Sequence, residues 1–139
     1  MNWKLIFELS LFGLAMAFGT VFVIPYNIEP AFWLPIFLIC AYAIARQVPS
    51  GRFLHGLLVG VVNSVWVTGA HVLFAARYLA SHAAEAAMMQ SMPAPTHPRL
   101  MMGITGAVIG LVSGAVIGLL ALAAGKFVKT ASVPAKSSA

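Results

Sequence analysis

Three features of this sequence could do chemistry: an acid near the start, a polar stripe in the middle, and a run of soft ligands further on. Glu8 is an ionisable residue within an otherwise apolar segment, the setting in which a carboxylate carries a proton or pairs with a cation. It lies about 6 Å along a helix from Lys4 and four residues away on the same face, so a surface ion pair competes with proton coupling. His55, Arg46 and Arg52 are expected at the same level and are further candidate partners for Glu8. Gly56, Gly60, Asn63, Ser64, Thr68 and His71 fall within an arc of about 140° when wound as a helix. Asn63 sits about 15 Å into that helix, and an amide at that depth in hydrocarbon needs a partner. A bond to a neighbouring helix would fix packing, worth about 0.6–2 kcal/mol. A polar path for a proton or small solute is the alternative use.

The soft ligands lie between positions 82 and 102: His82, Met88, Met89, Met92, His97, Met101 and Met102. Thioethers and imidazoles suit Cu(I), which makes His82, Met88, Met89, Met92 and His97 the metal candidates. Methionine also serves as a flexible apolar residue on an interfacial helix, and no other cofactor is implied. Enzyme signatures are missing: there is no HExxH, no phosphate-cradling glycine loop and no Ser/His/acid set. Only three carboxylates are present, and Glu8 and Glu29 are expected on opposite sides of a membrane. They cannot act as a pair across about 30 Å, and catalysis is not expected.

The fourth pattern belongs to packing. Gly106, Gly110, Gly114 and Gly118 recur every four residues, with Gly103, Ala107 and Ser113 alongside. On a helix these make a smooth groove that a second backbone can enter. In lipid, close van der Waals contact of this kind carries helix association. The groove suits packing within the chain, a homodimer, or a subunit contact in a larger membrane complex.

The elements that position these residues follow from composition. Of 139 residues 61% are hydrophobic and 8% charged, and the mean hydropathy is +0.96. An ordinary soluble domain carries about 25% charged residues; eleven charges cannot coat a fold this size in water. The lipid bilayer is therefore the expected solvent, and the fold class is an all-α integral membrane four-helix bundle. Spans are expected at about 5–24, 31–48, 53–76 and 99–125, within one membrane domain over 1–129. The 31–45 stretch alone reaches only about 22 Å and needs Val48 or local thinning. Pro35 should bend that helix or delay its start. The tight link from Pro25 to Pro30 predicts an antiparallel hairpin of the first two helices. The third helix should continue outward through a segment at 75–98 rich in helix formers, until Pro93, Pro95 and Pro98 end it. A tail at 130–139 has too little to bury and should be disordered. Ala15-Met16-Ala17 mimics a signal-peptidase site, but Glu8 and the apolar run through Ile24 favour a retained helix.

The net charge of +5 is scattered at the ends of apolar runs without the basic stripe that nucleic acid requires. It reads as topology. With the N-terminus inside, Lys4, Arg46, Arg52, Lys126, Lys129 and Lys136 fall on the inner side, and Arg77 and Arg99 outside. Both termini are expected in the cytoplasm, in a multi-pass protein of the inner (plasma) membrane. Cys40, alone in an apolar run, reads as filler. Helix-mediated assembly through the glycine face is the expected role, with a small oligomeric transporter or channel built on the polar stripe as its rival.

Overall fold

The computed structural model describes residues 1–129, all of whose regular structure is helical. The helices are α1 (Trp3–Phe22), α2 (Glu29–Gln47), α3 (Arg52–Leu73), α4 (Ala75–Ser81), α5 (Ala83–Gln90) and α6 (Pro98–Ala124). Among the described residues α1, α2, α3 and α6 are long and apolar enough to cross a membrane. The expected tail lies outside the described residues.

Local chemistry sets the boundaries. The Asn2 side chain caps α1 by accepting from the Leu5 amide at 3.2 Å. The Val23 and Ile24 amides both turn back to the Gly19 carbonyl, closing the helix ahead of Pro25. α2 starts at Glu29, two residues before the expected point. Pro30 occupies its first turn, where no amide bond is lost, and the Trp33 indole Nε1–H donates to Glu29 Oε1 at 3.0 Å. The helix runs on through Pro35, so Pro35 does not delay its start. Gly51 precedes α3 with φ +72°, a left-handed conformation that glycine adopts without steric cost.

Two expectations about helix arrangement are corrected. α1 and α2 are not a closely packed hairpin: α1 packs against α3, while α2 packs chiefly against α6. The glycine faces of α3 and α6 make these two helices the tightest pair, and each outer helix takes a flank of it. The third helix is also not continuous beyond Leu73. It breaks at Phe74 and again at His82, giving two short helices in place of one extension. Nothing in the propensities of 75–92 requires a break. Packing supplies the reason, because Ala75, Tyr78 and Met89 turn inward to join Ala17, Val21, Ala70 and Met102 in a second apolar cluster.

The main core occupies the other end, where Ile6, Cys40, Ile44, Val59 and Ile117 are fully buried. There the Asn2 amide donates to His55 Nε2 at 3.0 Å, and His55 Nδ1 lies 2.9 Å from the Gly51 carbonyl. The buried residues of α2 all come from Ile36 onward, and before them only Trp33 packs, partly buried, against this core.

Candidate binding cleft

The α3–α6 contact fixes the frame of the site. Gly56 and Gly60 on α3 meet Gly118 and Gly114 on α6 so closely that a methyl on either α3 glycine would drive into the opposing backbone. A methyl on Gly114 would meet the Leu57 carbonyl, and one on Gly118 would lie 2.7 Å from the Phe53 carbonyl oxygen. Higher up the same face, Gly110 receives Ser64 and Gly106 receives Thr68. All four glycines singled out in the sequence are thus covered by α3 of the same chain. The contribution of Gly56 and Gly60 as their partners was missed, although these two carry the same four-residue spacing.

The polar stripe of α3 sits beside this contact and faces two ways. Towards α1, Asn63 Oδ1 accepts from the Gly13 amide at 3.0 Å, a buried bond that only a residue without a side chain allows so close to Asn63. His71 Nε2 lies 2.9 Å from Thr20 Oγ1. That hydroxyl gives its one proton to the Met16 carbonyl at 2.9 Å, so the imidazole is the donor to it. Towards α2 and α6, Asn63, Ser64, Thr68 and His71 line a cleft of about 630 Å³. The far wall is Trp33, Leu34 and Phe37 of α2, and Thr105, Ile109 and Ser113 of α6 close the third side. The Ser64 hydroxyl donates to the Val61 carbonyl at 2.9 Å. Asn63 is only 4% exposed, and its Nδ2 has no partner among the described residues.

At the capped end the lining changes character. Tyr26 and Glu29 come from the start of α2, Tyr78 from α4, and Glu85 and Met88 from α5. Tyr78 is clamped in a stack, its ring 3.8 Å from that of His71 and 4.1 Å from that of His82. Burial raises its phenol above the ordinary value, and the charges of Glu29 and Glu85 raise it further, so both carboxylates act on the same group. Glu29 accepts from the Trp33 indole, and Glu85 Oε2 has no hydrogen-bond partner among the described residues. Among the described residues neither acid forms a salt bridge. Arg77, the base on α4, instead lies over the Phe22 ring at 5.0 Å. Sequence reasoning missed Glu29 and Glu85 as a set because they are 56 residues apart and only the break at Phe74 and His82 brings α5 back over the cleft.

Other singled-out residues lie elsewhere. Glu8 pairs with Lys4 at 3.7 Å on an exposed surface, away from the cleft. His82 is buried, with Nδ1 against the Tyr78 carbonyl at 3.0 Å and Nε2 without a partner among the described residues. Met89 and Met102 belong to the second apolar cluster, with Met92 and Met101 packed on it, while His97 is exposed and pairs with Thr96. Among the described residues no three His, Cys, Asp or Glu side chains come together as a metal site.

Comparison with family models, with curated proteins and with solved structures finds no match for this chain.

Proposed function

We propose that this is a non-enzymatic multi-pass membrane protein that binds a small amphipathic molecule in the α2–α3–α6 cleft, as the binding unit of a small transporter. The observation that carries this reading is Asn63: a buried amide whose Nδ2 lacks a partner, on the wall of an apolar cleft large enough for a ligand. An unpaired amide costs several kcal/mol in an apolar setting, and binding sites have the form of a mostly apolar concavity with few polar groups. In this reading the apolar walls take the body of the ligand and Asn63 donates to an acceptor on it. The basic residues then set the orientation, with both termini in the cytoplasm of an inner-membrane protein and the Glu29–Glu85 mouth on the outer side.

Assembly through the glycine face is less well supported, because α3 already covers that face. The opposite side of α6, with Ile104, Val108, Val112 and Leu119 exposed, suits contact with lipid. Photolabelling in proteoliposomes with a diazirine-bearing long-chain alcohol tests the proposal. Label should concentrate on Asn63, Ser64, Thr68 and His71 of α3 and on Thr105, Ile109 and Ser113 of α6, and Ile109→Trp should suppress it by filling the cleft. Labelling spread evenly over Leu111, Leu119 and Leu122, and unchanged in the variant, would refute it.

A further inference from the structure

We infer that the ligand of this cleft carries a positively charged amine or quaternary ammonium head, which Glu29 and Glu85 receive at the mouth between Tyr26, Trp33 and Tyr78. This deepens the proposed function and rests on it. The chemistry is that of an unbalanced site. Two of the chain's three carboxylates border one opening, and no Lys, Arg or His makes an ion pair with either among the described residues. One Glu85 oxygen is buried and has no hydrogen-bond partner among the described residues. A carboxylate in partly desolvated surroundings repels a second, and a cation between them removes both costs. The rings of Tyr26 and Trp33 add what an ammonium group prefers, since an aromatic face attracts a cation most strongly when it is desolvated, whereas Tyr78 is stacked between His71 and His82 and contributes only its edge. An anionic head would meet two like charges and no Lys or Arg, and the imidazole of His71 is already engaged with Thr20 and stacked on Tyr78. Asn63 gives the independent sign that the cleft receives a ligand, and it lies about 15 Å along α3 from the end of that helix. The class that fits is an elongated amphipath with a cationic head, an apolar body and room for a hydrogen-bond acceptor below it. Free amphipathic amines and lipids with an ammonium headgroup share this chemistry.

Equilibrium dialysis of the protein in neutral maltoside micelles, corrected with empty micelles, separates the possibilities. The probes are decyltrimethylammonium, decanol and decyl sulfate. The ammonium should bind at least about tenfold tighter than the alcohol, the equivalent of about 1.4 kcal/mol, with the sulfate weakest. Glu29→Gln with Glu85→Gln should erase that preference while decanol binding persists; each change keeps the side chain's size, and an unchanged melting temperature verifies the fold. Competition by phosphatidylethanolamine, stronger than by phosphatidylglycerol, would identify a lipid as the source of the head, and equal weak competition by both would identify a free amine. Equal binding of ammonium and sulfate, or a preference that survives in the double variant, would overturn the charge assignment and leave the cleft standing. Failure of all three probes to bind, with Ile109→Trp indistinguishable from the native protein, would overturn the cleft itself.

Discussion

Asn63 has two duties that substitution can separate. Its Oδ1 ties α3 to Gly13 of α1, while its Nδ2 has no partner among the described residues. Asn63→Leu loses one interhelical bond but also removes an orphan donor, so its cost in stability should stay near about 1 kcal/mol. Unfolding measurements in mixed micelles should show that modest change beside a clear loss of ligand binding. Gly13→Ala should do more structural harm, because a methyl there would lie within 2.9 Å of the Asn63 Cβ. Tyr78 supplies a pH readout. Its raised phenol pKa means that the folded state holds the proton more tightly than the unfolded chain. The associated stability is complete below the ordinary tyrosine value of about 10 and declines as pH rises past it. Ultraviolet titration should find one tyrosine ionising late, and Glu29→Gln or Glu85→Gln should bring it earlier by removing a neighbouring charge. Asn63 and His71 were readable as candidates because polar residues are rare in so apolar a chain. The two acids of the mouth were not readable as a pair, since one chain reversal decides whether they meet.

Helix packing turns on where glycine is required and where it is merely present. Gly60 and Gly114 touch backbone to backbone, whereas a methyl on Gly69 or Gly103 would meet nothing within 4 Å. Gly60→Leu or Gly114→Leu should therefore force α3 and α6 apart and abolish the cooperative melt. Gly69→Ala and Gly103→Ala should raise stability by about 0.5–1 kcal/mol each, since alanine relieves a helix of glycine's entropic cost. Thermal unfolding of the four variants checks both halves of this contrast. The four-residue period of α6 was legible in the sequence, but spacing alone does not choose between a partner in the same chain and one in another. The breaks at Phe74 and His82 were not legible, because no Pro or Gly marks them and inward packing of Ala75, Tyr78 and Met89 decides them.

For the whole molecule, composition was the most informative signal: so few charges among so many apolar residues leave the bilayer as solvent, and four helices of sufficient length follow. The proposed orientation puts α4 and α5 outside the cell. A cysteine at the exposed position Ala84 should react with a membrane-impermeant maleimide in intact cells, with buried Cys40 giving little background. Reaction only after permeabilisation would reverse the topology. The cleft is the central claim, and native mass spectrometry of the protein ejected from its own membrane tests it most directly. The native chain should retain the added mass of one small cationic amphipath, and Ile109→Trp should emerge without it. A bare chain in both cases, or the same adduct on both, would contradict the account.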